Sequence, residues 1–131
     1  MPVALGLPTG YPWVLAATTG AIFVNVWQSM LVSVARKRAG IKYPQVYATK
    51  DEEASSKDAK VFNCTQRAHM NSLETVHYFM LNTLVSGFRY PRVAVGLAAV
   101  YLVGRVLYTL GECTSTFENC LRFCSFSDFL L

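Results

Sequence analysis

Four residues of the stretch FNCTQRAHMNSLETVHYFM, residues 62–80, could do chemistry together. Arg67, Asn71, Glu74 and Tyr78 stand at offsets of 0, +4, +7 and +11. On a helix that spacing makes one stripe. Arg105, Tyr108 and Glu112 repeat the habit at 0, +3 and +7, and Arg36-Lys37 ends an earlier apolar run. Arginine holds carboxylates through paired donors, a glutamate holds an ammonium, and an asparagine reads an amide. The set fits a small polar ligand carrying both signs of charge. The competing reading is a self-satisfied network in which Arg67 or Arg105 neutralises Glu74 and Asn71 bridges helices.

The elements that must position these residues are apolar. Residues 13–35 contain no charged side chain, and Arg36-Lys37-Arg38 follow at once. A helix needs about 20 such residues to cross hydrocarbon. A cleavable signal peptide would carry a basic leading region and a shorter apolar run; residues 1–12 hold no Lys or Arg, so the segment reads as an anchor that stays. Residues 93–110, with Arg105 as the only charge, form a second span, and residues 68–88 a weaker third. Between the first and this one, residues 36–67 read as a solvated loop marked by Pro44 and mixed charges. The expected architecture is an all-α integral membrane bundle in one domain: three transmembrane helices, then a short non-spanning tail, 112–131.

Composition agrees. The 131 residues are 53% hydrophobic and only 15% charged, with a net charge of +4, whereas soluble domains average about a quarter charged. The 36–67 loop carries eight Lys or Arg and the 89–92 turn two. The positive-inside rule then puts the loop in the cytosol and the N-terminus in the lumen. The Asn63-Cys64-Thr65 acceptor is therefore expected to be unglycosylated. No recognition helix or stacking platform accompanies the basic residues, so no nucleic-acid partner is expected. Cys64, Cys113, Cys120 and Cys124 show no zinc spacing and read as reduced thiols.

At these residues a resemblance emerges. FNCTQRAHMNSLE, with its Arg-x-x-x-Asn-x-x-Glu core, and GRVLYTLG, residues 104–111, resemble the two signatures of the membrane-associated proteins in eicosanoid and glutathione metabolism, the MAPEG family. Arg36-Lys37-Arg38, Lys42-Tyr43-Pro44 and DAKVFNC are similar to its glutathione-transferase members. The resemblance implies a four-helix membrane protein of the endoplasmic reticulum, assembled as a homotrimer with sites between subunits at the cytosolic face. It implies glutathione as substrate, contacted by Arg67, His69, Asn71, Glu74, Arg105 and Tyr108, with no metal. Arg36 and Tyr108 would be catalytic. Cationic groups favour the thiolate, which would attack a lipophilic electrophile or a lipid hydroperoxide arriving through membrane lipid.

After Gly111 the chain reads ECTSTFENCLRFCSFSDFLL and departs from the family's pattern. Glu112 stands where an aromatic residue is usual, and no arginine lies between Arg105 and Arg122. The final segment is too short and charged to span, as in a truncated end, though Phe117, Leu121, Cys124 and Phe126 could line an interfacial helix. Two functions follow: a glutathione transferase and peroxidase, or a non-catalytic glutathione- or lipid-binding protein or isoform that modulates full-length subunits.

Overall fold

The computed structural model describes residues 7–114, with side chains to Glu112. The expectations for Phe117, Leu121, Cys124, Phe126 and the tail from 115 fall outside the described residues. Within them the chain is helical: α1 (Tyr11–Ala39), α2 (Lys50–Ser55), α3 (Lys57–Arg89) and α4 (Pro91–Thr114). Three long helices pack side by side, α3 against both others and α1 against α4.

Local chemistry sets each boundary. Pro12 lies in the first turn of α1, where a missing N–H removes no helix bond. Gly40 ends α1 at φ 70, its N–H turned back to Lys37; a left-handed stop suits glycine. Ile41 is buried beside Val32 and Ala35, which turns the chain back along the bundle. Thr49 and Glu52 form a reciprocal capping box on α2, and the Ser56 hydroxyl accepts from the Ala59 N–H to start α3. Pro91 opens α4 one residue after α3 ends.

The loop reading needs correction. Residues 36–67 are not one solvated loop: α1 continues to Ala39 and α3 begins at Lys57 rather than near Ala68. The reason is packing, since Ala59 and Phe62 are buried with Val32, Ala35, Ile41 and Ala48. Polar residues there cap and solvate a helix that the core holds. Cys64, expected as a reduced thiol, is disulfide-bonded.

Among the described residues, two helices, α1 and α4, are long and apolar enough to cross a membrane. The third expected span, 68–88, belongs to α3 but is too polar to pass that test alone. Its partners carry it. At one end Tyr11, Val14 and Ala94 are buried with Leu84 and Val95 against them, and Tyr11 lies against Phe88 with ring centroids 4.9 Å apart. A Cβ on Gly87 would come within 2.8 Å of Val14, so glycine lets α1 and α3 touch there. Outward, α1 and α4 present Phe23, Val26, Met30, Leu97, Val100 and Val103. A row of exposed large apolar side chains suits hydrocarbon or another subunit rather than water.

Candidate functional site at the loop end of the bundle

The seam between α3 and α4 carries the polar chemistry. Arg105 donates through one guanidinium nitrogen to Asn71 Oδ1 at 2.6 Å and through the other to the Thr75 hydroxyl. The Thr75 proton goes back to the Asn71 carbonyl, 3.1 Å away, so its lone pairs accept from Arg105 and from the Tyr101 hydroxyl at 3.0 Å. Tyr101 lies below the guanidinium, 5.2 Å from ring centroid to Cζ. The same ring stacks on Phe79 at 4.1 Å and 10°. The arginine is thus held in one orientation by two hydrogen bonds and an aromatic face. A guanidinium has five N–H donors, and these bonds use two of its nitrogens.

One turn toward the loop, Arg67 sits among groups from three segments. The Tyr108 hydroxyl donates to the buried Glu112 carboxylate, and the Arg67 charge acts on the same carboxylate. Arg67 and Glu74 both also act on the phenol of Tyr47, a loop residue. Burial pushes that phenol above its ordinary value, Arg67 opposes the rise, and Glu74 adds to it. Glu74 itself is exposed. Charged groups of α3 and α4 and the Tyr47 phenol of the loop therefore lie within electrostatic reach of Arg67.

Behind the seam lies a buried node. Gln28 Nε2 donates to Ser72 Oγ at 2.9 Å and to Thr109 Oγ1 at 2.7 Å. Each hydroxyl gives its own proton to the carbonyl four residues back, Ala68 and Arg105 respectively. Two amide protons therefore meet two waiting lone pairs, which fixes the register of all three long helices. Gln28 Oε1 is buried with no hydrogen-bond partner.

The residues singled out in the sequence divide into three groups. Arg67, Asn71, Arg105 and Tyr108 are half-buried along the α3–α4 seam, and Glu74 stands at its open edge. His69 departs from the stripe: two residues from Arg67 it is rotated by about 200° on a helix, and its Nδ1 is buried and unpartnered. Arg36 is buried and donates to the carbonyls of Gln45 and Val46. It also lies over the rings of Tyr43, at 4.4 Å, and Phe62, at 4.7 Å. Those contacts fasten the loop, and none involves the seam. Tyr78 points away, 72% exposed. Sequence reasoning missed Thr75, Tyr101, Tyr47 and Gln28. The first two were legible as the i+4 and i−4 neighbours of Asn71 and Arg105. Gln28 was an uncharged amide in a run scanned only for charge, and Tyr47 carried no signal.

The class this defines is a helical membrane bundle with a polar seam at one end. The model of the MAPEG family matches residues 14–128, and the chain belongs to that family. The matched stretch passes Gly111, where the likeness of motifs ended. No solved structure matches the chain.

Proposed function

We propose that this chain is a glutathione transferase and peroxidase of the microsomal membrane, similar to microsomal glutathione transferase 3. The observation that carries this reading is the convergence on Arg67. Its guanidinium, Glu74 and Arg105 offer both signs of charge within two turns of α3 and the facing turn of α4. Glutathione presents two carboxylates, one ammonium and two amides, and the seam offers a partner for each kind.

In this reading Arg67 holds a carboxylate, Glu74 the ammonium and Asn71 an amide, while Arg105 and Tyr108 face the sulfur. A thiol of ordinary pKa about 8.5 is mostly protonated at neutral pH, and adjacent cations favour the thiolate. The thiolate sulfur forms a bond to an electrophilic carbon as a leaving group such as chloride departs. With a lipid hydroperoxide, two glutathiones give the disulfide, an alcohol and water. The acceptor reaches the seam laterally from membrane lipid. Homotrimer assembly would complete the open edge at Glu74, and the basic loop would face the cytosol with the N-terminus in the lumen of the endoplasmic reticulum.

The purified chain in detergent, given glutathione with a chlorinated aromatic or a fatty-acid hydroperoxide, tests this. Arg67→Ala and Glu74→Ala should each lower glutathione affinity by about tenfold or more, the scale of one lost charge-assisted bond. Turnover unchanged in both would refute the site. A second reading, a non-catalytic binding member that modulates other subunits, is favoured by Arg36 being engaged with loop carbonyls. Binding without turnover is its signature.

A further inference from the structure

The loop between α1 and α2 is fastened more firmly than a surface connection requires. At its start Ile41 is buried against Ala35 and Phe62. In the middle, Arg36 reaches the carbonyls of Gln45 and Val46, and Gln45 Nε2 donates to Glu52 at 2.7 Å. At its end the Asn63 side chain takes both backbone groups of Ala48. The Ala48 N–H donates to Oδ1 at 2.8 Å, and Nδ2 donates to the Ala48 carbonyl at 3.2 Å. Asn63 also donates to Glu53 at 3.2 Å.

These bonds bracket a single residue. Val46 is held from α1 and Ala48 from α3, so Tyr47 between them has its backbone fixed on both sides. Asn63 lies one helical turn before Arg67, on the same face of α3. The strap therefore delivers Tyr47 to the loop-side edge of the seam. Its phenol feels both Arg67 and Glu74, yet the residue stays 42% exposed. A phenol kept above its ordinary value by burial remains a protonated donor at neutral pH.

We infer that Tyr47 is a further ligand-contacting residue, its hydroxyl donating a hydrogen bond to the glutathione carboxylate that Arg67 holds. The inference rests on the glutathione reading above. The strap then acts as a preformed wall: Asn63 and Arg36 order the loop before ligand arrives, so binding does not bear the entropy of ordering it.

Equilibrium binding of glutathione and of its two monoethyl esters to the full chain in detergent micelles tests the inference, with wild type, Tyr47→Phe and Asn63→Ala. Tyr47→Phe keeps the ring and removes the donor; it should weaken glutathione binding about fivefold while the unfolding midpoint stays unchanged. In assays with the chlorinated aromatic, KM for glutathione should rise and kcat hold. For the ester that masks the contacted carboxylate, wild type and Tyr47→Phe should bind alike. Asn63→Ala, which frees the strap, should weaken glutathione binding as Tyr47→Phe does. Equal binding of glutathione by wild type and Tyr47→Phe overturns the inference and leaves the function standing. So does an equal loss for both esters, because the contact would not then be to a carboxylate. Wild-type protein that binds no glutathione defeats the function and the inference together.

Discussion

The two ends of the bundle each bury an apolar cluster but differ in the groups that stand beside it. At the Tyr11 end, helices meet by apolar contact, with Val14 fully buried, Gly87 admitting it, and one hydrogen bond from Tyr11 to the Leu84 carbonyl at 3.4 Å. The nearby groove of about 180 Å³ between α3 and α4 is lined by Phe79, Thr83, Ala94 and Ala98 among others and holds no charge. At the loop end an apolar cluster around Phe62 is present too, but the α3–α4 seam beside it is made of arginine, amide and hydroxyl groups. Apolar packing brings backbones as close as side chains permit, as where Gly87 meets Val14. Directional bonds instead join helices through the ends of their side chains, as Arg105 does to Asn71 and Thr75, with Glu74 exposed beside them. The Tyr11 end joins the helices by apolar contact, while the loop end carries the polar candidate site.

The comparison can be broken most forcefully at Phe62, which is fully buried beneath the loop and faces the Arg36 guanidinium. Phe62→Ala should cost about 3–5 kcal/mol and loosen the strap; thermal unfolding in micelles measures the first and proteolysis of the 40–49 loop the second. A midpoint like wild type would mean the loop end is not held by its core. At the Tyr11 end, Gly87→Ala pushes a methyl into Val14 and should destabilise by about 1–3 kcal/mol. Pairing it with Val14→Ala should recover part of the loss.

Gln28→Leu separates polar from apolar holding in mid-bundle. The amide is fully buried and its two N–H bonds are offset by a carbonyl oxygen with no partner. The leucine should therefore change stability by about 1 kcal/mol or less. A loss above about 3 kcal/mol would show the node to be a structural keystone.

The smallest effect is acidic. Hydrogen bonds from the Thr49 backbone, from Gln45 and from the Thr49 hydroxyl hold the Glu52 carboxyl below its ordinary 4.5. A depressed folded value means its contribution is complete above about 4.5 and fades as pH falls through that lower value. Amide protection factors at Thr49 and Glu52, corrected for intrinsic exchange, should fall below that point, and Glu52→Gln should abolish the fall.

Much of the site was legible in linear order. Spacing of Arg67, Asn71 and Glu74 placed them on one face of one helix, because the helical repeat is a property of the backbone alone. Arg105 and Tyr108 were legible on the same ground. Their partners were harder: Thr75 and Tyr101 are ordinary residues until a guanidinium lands between them. Reading apolarity as helix extent misplaced the start of α3, since hydropathy measures where hydrocarbon is tolerated, whereas Ser56 capping and Phe62 burial decide where the helix begins.

By itself the sequence determined the helical class, the two apolar spans, the charge asymmetry and the stripe on α3. Those follow from composition and from a fixed rise and turn per residue, which need no long-range contact. Only the tertiary structure decided that Arg36 fastens a loop, that Gln28 joins three helices, and that Tyr47 comes within electrostatic reach of Arg67. Each of these depends on which side chains from distant segments reach the same point, and no single helix contains that information.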